Sequence, residues 1–94
     1  MALEFEWDPR KAAASLVKHK VSFDEAATVF GDPLGLIVHD ARHSMDEDRF
    51  VLLGLSEFHH LLAVMYTDRG EAIRLISARK ATRRERKNYE KNIH

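Results

Sequence analysis

The chain has 94 residues, 45% of them hydrophobic, with 15 basic and 15 acidic side chains and no cysteine. Its length sets one domain with a small core. The missing cysteine excludes disulfides, thiolate nucleophiles and cysteine zinc ligands, and it suits a reducing cytoplasm. The first residues lack the basic-then-apolar pattern of a leader, and no apolar run approaches the ~18 residues of a membrane span.

Leu3, Phe5 and Trp7 alternate with Glu4 and Glu6, the period-two pattern of a half-buried strand. Asp8-Pro9 then supplies an N-cap and a proline at the first helical position. The helix that follows, Arg10 to Lys20, places Ala13, Leu16 and Val17 on one face with Ala12 beside them. Ser22 and Glu25 have capping-box spacing and open a second helix, whose buried face is predicted as Phe23, Ala26, Ala27 and Phe30. Gly31-Asp32-Pro33 stops it.

Leu34 to Asp40 is a predicted strand, and the polar stretch from Ala41 to Glu47 a loop. Three further strands are predicted at Arg49–Ser56, His60–Thr67 and Ala72–Ser77, joined by hairpin turns at Glu57-Phe58-His59 and Asp68-Arg69-Gly70. These strands carry Leu, Val and Ile on both faces, so the sheet is expected to be covered on part of its second side. Thr82 and Glu85 form another capping-box pair and open a final helix to about Lys91. The order β-α-α-β-β-β-β-α defines an α+β fold, with helices packed on one mostly antiparallel sheet.

Formal neutrality hides a division of charge. Residues 69–94 hold nine Lys/Arg against three Glu, a net of +6; residues 1–68 hold six against twelve, a net of −6. Arg79 and Lys80 precede the final helix, and Arg83, Arg84, Arg86 and Lys87 lie within it. A helix N-terminus among cations attracts phosphate, and Tyr89 can stack on a base or donate a hydrogen bond. A solvated charged helix would carry the same residues.

His19, between Lys18 and Lys20, is a candidate proton-transfer group for phosphodiester cleavage. Alternatively it interacts only with its helix C-terminus. His39, His43, Ser44, Asp46, Glu47 and Asp48 include metal-ligand types but match no metal spacing, so no metal is assigned. His59-His60 reads as a polar hairpin tip. Arg49, Arg69 and Arg74 can reach the sheet face and stabilise phosphate charge. Ser77 has no sequence-adjacent base and is a poor nucleophile candidate.

Several pieces occur in a fixed order: Phe5-Glu6-Trp7-Asp8, Lys18-His19, Val21-Ser22-Phe23-Asp24-Glu25-Ala26 and Val29-Phe30-Gly31-Asp32-Pro33. His43-Ser44, Glu47, Arg49, Tyr66-Thr67, Arg69-Gly70 and Ile73 through Arg79 continue the series. The set resembles the BrnT family of type II toxins over nearly the whole chain. That resemblance implies a RelE-like fold and RNA cleavage without metal or other cofactor, stopping translation. It also implies a cognate BrnA-like antitoxin with a ribbon-helix-helix part, forming a heterotetramer that binds operator DNA.

The matching polar positions are Lys18, His19, Arg49, Arg69, Arg74, Ser77, Arg79 and Glu85. Where the family has Gly after the Lys-His pair, this chain has Lys20, which adds a charge near His19. On this basis proton transfer is assigned to His19, with Glu85 or Tyr89 as alternates. Arg79, Arg69 and Lys80 would stabilise the phosphorane, and Arg49 would position it. Lys18, Arg74, Arg83, Arg84 and Tyr89 complete the expected RNA contacts. A non-catalytic module that docks an acidic partner or DNA is the alternative.

Overall fold

A computed structural model describes residues 3–40 and 47–92 of the chain. The strands are β1 (Glu4–Trp7), β2 (Leu36–Asp40), β3 (Arg49–Leu55), β4 (Leu61–Asp68) and β5 (Ala72–Lys80). The helices are α1 (Pro9–His19), α2 (Phe23–Thr28) and α3 (Arg83–Asn92), with a single 3-10 turn at Val29–Gly31. The strands form one sheet in the order β1-β5-β4-β3-β2. β1 runs parallel to β5, and every other pair is antiparallel. The α+β order read from the sequence is the order observed.

The main core lies between one sheet face and the two N-terminal helices. Phe23, Ala26 and Val29 pack with Leu52, Leu62, Val64, Leu75 and Ala78. Edge-to-face rings close its margin, Phe5 on Phe30 at 5.1 Å and Trp7 on Phe23 at 5.8 Å.

The predicted buried face of α1 is not the observed one. Leu16 is 50% exposed and Val17 78% exposed, Ala13 is also exposed, and Ser15 is buried instead. β1 pairs β5 only along Ala72 to Leu75, so the rest of that edge of β5 lacks a neighbouring strand. Ser15 satisfies it: its Oγ lies 2.9 Å from the Ala78 carbonyl and 3.1 Å from that of Val21. An unpaired buried carbonyl costs about 1–3 kcal/mol. The hydrogen bonds therefore outweigh the apolar pattern and turn a polar residue inward. Lys20, where a glycine was the family expectation, still takes the left-handed cap conformation, with φ 62° and its N–H on the Leu16 carbonyl.

The two capping-box pairs keep their N-cap bonds, but differently. Ser22 Oγ accepts from the Glu25 N–H at 3.0 Å, whereas the Glu25 side chain turns away to Ser56 and His60. At α3 the box is reciprocal: Thr82 Oγ1 accepts from Glu85 N–H, and Glu85 Oε1 accepts from Thr82 N–H at 2.8 Å.

The second sheet face is only partly covered. Tyr89 of α3 packs on Leu53, Leu61 and Ala63 and is itself 5% exposed. Its hydroxyl donates to Asp32 Oδ2 at 2.6 Å. Burial and the Asp32 carboxylate push the phenol up to about 12. The neutral phenol is thus favoured in the folded state; its stabilisation is complete below pH ~10 and is lost as pH rises from ~10 towards 12. Tyr89→Phe is expected to lower stability by about 1–2 kcal/mol and to flatten that alkaline limb in denaturation curves.

Candidate active site

β5 contains an irregularity that decides what the open face presents. Met65 pairs with Ser77, but Tyr66 pairs with Leu75, so Ile76 is an extra residue in β5. In a regular strand Leu75, Ser77 and Arg79 would share a face, the one that faces the core. The bulge shifts the alternation, so Ser77 and Arg79 join Arg74 on the open side.

Across that face the register aligns Asp40, Arg49, Thr67, Arg74 and Glu6, one from each strand. Thr67 is 2% exposed, and its Oγ1 has no hydrogen-bond partner among the described residues. Arg74 donates to Glu6 at 2.7 Å, and Arg69, in the β4–β5 turn, donates to Glu47 at 2.9 Å. Alternating acidic and basic groups hold the guanidiniums at the surface without neutralising the face by burial.

Arg79 is held at two points. Its Nη1 and Nη2 donate to the two carboxylate oxygens of Glu85 at 2.7 and 3.0 Å, and Nη1 also reaches the Lys80 carbonyl at 3.3 Å. Of the five N–H donors of a guanidinium, three are engaged here, which leaves two for another anion. The bidentate bond raises the Arg79 pKa and holds the Glu85 carboxyl below the usual range. Glu85, expected as an alternate proton acceptor, is therefore an ionised clamp with both oxygens occupied.

His19 and Lys18 reach the same region from α1. They line a cleft of about 280 Å³ with Lys11, Ala14, Ser15, Ile76 and Ser77. His19 thus lies beside Ser77, two residues before Arg79 on the open face, although 58 positions separate it from Ser77 in the chain.

Other expected residues fall elsewhere. Tyr89 is in the core, with no ring face free for a base. Lys80 pairs with Leu62, whose side chain is in the main core, so it belongs to the face opposite Arg79. Arg83 and Arg84 are exposed in the first turn of α3. Residues 41–46, which include His43, Ser44 and Asp46, lie outside the described residues; of the same group, His39 is 3.2 Å from Asp48. Among the described residues, no three His, Asp or Glu side chains gather as metal ligands, and no helix is long and apolar enough to cross a membrane. Sequence reasoning passed over Asp32 and Glu25. Asp32 lay within a turn motif, and Glu25 was taken for a capping residue.

A mixed five-stranded sheet with α1 and α2 on one face and α3 on the other has the topology of the RelE-like toxins. The model of the ribonuclease toxin BrnT of type II toxin–antitoxin systems matches residues 7–85, and the chain belongs to that family. The same fold occurs in the 1.1 Å crystal structure of the Brucella abortus ribonuclease toxin BrnT, with a TM-score of 0.67 and 19% identity over 87% of this chain and 100% of that one. No curated protein matches the chain by sequence.

Proposed function

We propose that this toxin cleaves RNA by general acid–base chemistry without a metal, with His19 moving the proton and Arg79 stabilising the phosphorane. The observation that carries this reading is the meeting of His19, Lys18 and Ser77 in one cleft, with the clamped Arg79 two residues further along β5 on the same face as Ser77. Attack of the ribose 2′-oxygen on phosphorus needs that hydroxyl's proton removed and the leaving 5′-oxygen protonated. Imidazole is suited to either transfer near neutral pH. Developing charge on the phosphorane oxygens is met by donors already fixed in place, the source of large electrostatic rate effects. Glu85 positions Arg79, while Arg74, Arg49 and Arg69 steer and orient the RNA backbone along the same face. Lys18 adds a cation at the mouth of the cleft.

The partner is a cognate ribbon-helix-helix antitoxin that covers this face, assembled as a heterotetramer able to bind operator DNA. The exposed apolar side of α1, Leu16 and Val17, beside Lys18 and Lys20, suits an acidic amphipathic segment of such a protein. The reading is tested with purified protein and RNA in EDTA. Cleavage is expected, and His19→Ala should slow it by about 100-fold. RNA left intact by the parent protein but bound in a salt-sensitive way would instead identify a non-catalytic module.

A further inference from the structure

Phe58, at the tip of the β3–β4 hairpin, is 62% exposed, the most exposed aromatic ring among the described large hydrophobic side chains. It does not stand alone. Its ring centroid is 6.4 Å from that of His60, at an interplanar angle of 55°. Beside them a cleft of about 200 Å³ is lined by His59, His60, Leu61, Lys80 and Arg86, with no carboxylate in its wall. Lys80 arrives from the end of β5 and Arg86 from α3, and both line the cleft beside His60, whose ring neighbours Phe58.

His60 is anchored from behind. Its Nδ1 is 2.8 Å from Glu25 Oε2, and the Glu25 side chain is only 10% exposed. The same oxygen accepts from Ser56 Oγ at 2.7 Å. With Nδ1 engaged on the buried side, the imidazole is fixed in orientation and its Nε2 is left for the solvent side, where the ring is about half exposed. A protonated imidazole so placed donates to Glu25 with one nitrogen and to an external anion with the other.

We propose that Phe58, His60, Lys80 and Arg86 form a second nucleotide subsite for single-stranded RNA, the base stacking on Phe58 and a backbone phosphate seated among the three cationic groups. The inference rests on the ribonuclease reading of the open face and extends it. Aromatic rings interleaved with cations are the recurrent solution for unpaired strands, because every base has a stacking face and every nucleotide a phosphate. Lys80 follows Arg79 directly in β5 but projects to the other side of the sheet. An RNA strand crossing the end of β5 therefore meets Arg79 on one side and this subsite on the other.

The test uses the purified full chain and a labelled RNA oligonucleotide carrying 2′-deoxy substitutions, which binds but cannot be cut, read by fluorescence anisotropy. Phe58→Ala is expected to weaken binding by about tenfold. The double variant K80Q/R86Q should weaken it across sequences and reduce the slope of log affinity against log salt by about 2. His60→Gln should also weaken binding, because it removes the ring nitrogen that Glu25 orients towards solvent. Phe58, Lys80 and Arg86 are all exposed, so their variants should keep the parental melting temperature.

Unchanged affinity and salt slope in Phe58→Ala and K80Q/R86Q would overturn the subsite. So would unchanged oligonucleotide binding accompanied by lost antitoxin binding, which would make the patch a protein contact. Cleavage is scored separately on all-ribose RNA. Weakened binding in the variants of a protein that never cleaves would keep the subsite and remove the ribonuclease reading, while normal cleavage with unaltered binding would do the reverse.

Discussion

Arg79→Ala is expected to abolish growth arrest on induction and to lower RNA cleavage by at least about 100-fold. The guanidinium is held by two carboxylate bonds, and that carboxylate is held in turn by a helix cap. Thr82 and Glu85 fix the start of α3, and Glu85 in turn fixes Arg79 at the end of β5. Removing the arginine takes away preformed charge stabilisation but leaves the reciprocal cap intact. The folded chain should therefore survive with a loss of about 1–3 kcal/mol, since Glu85 keeps its Thr82 partner at the partly exposed end of β5. Arg79→Lys should rescue little, because an ammonium cannot bridge both oxygens of Glu85 and still present fixed donors to phosphate. Growth arrest by Arg79→Ala at the protein level of the parent would remove Arg79 from the reaction.

The largest loss of stability is expected from Asp32→Ala, on the order of 3 kcal/mol, with a fall in Tm of roughly 15 °C. Asp32 Oδ1 accepts from Leu34 N–H at 2.9 Å. Its Oδ2 accepts from Leu55 N–H at 2.8 Å and from the Tyr89 hydroxyl at 2.6 Å. One carboxylate thus joins the turn before β2, the end of β3 and α3. Gly54 leaves it room, since a Cβ there would stand 3.1 Å from Asp32 Oδ2 and 3.0 Å from Val29 Cγ1.

Partial burial pushes the Asp32 carboxyl up, but the bonds from Leu55, Tyr89 and Leu34 outweigh it and hold it below its usual range. A depressed carboxyl contributes stability that is present above its unfolded pKa and is lost as pH falls through the folded one. Urea midpoints of the parent should therefore drop below pH ~4, and Asp32→Ala should show a shallower acid limb as well as a lower plateau. A variant that melts within a few degrees of the parent would show that the three bonds do not hold the fold together.

The element order was legible because each element carries its own local signal. Alternation marked β1, caps marked all three helices, and turn residues separated the hairpins. Less legible were the faces. The apolar stripe of α1 pointed to burial of Leu16 and Val17, but the uncovered edge of β5 required a hydroxyl from Ser15, 63 positions from the Ala78 carbonyl that it bonds. Glu25 looked like half of a capping box and instead serves Ser56 and His60 across the fold. Tyr89, grouped by sequence with the basic residues around it, is drawn inward by Asp32 and the apolar end of the sheet. His60 was taken for part of a turn tip because nothing near it in sequence announces Glu25, Lys80 or Arg86. In each case a long-range hydrogen bond or cleft overrides a local pattern, and single-sequence periodicity contains no term for it.

Ile76 shows how much rests on counting alone. It contributes neither charge nor a hydrogen-bonding side chain, yet its insertion sets the phase of the last four residues of β5. A homologous strand with the same residues but without that offset would carry Ser77 and Arg79 into the hydrocarbon interior and turn Ala78 outward. Charge totals, composition and motif content would be identical in the two chains. In this toxin, aligning a relative's arginine column is therefore informative only when the offset beside it is aligned too. The bulge decides which face these residues occupy, and residue identity alone does not.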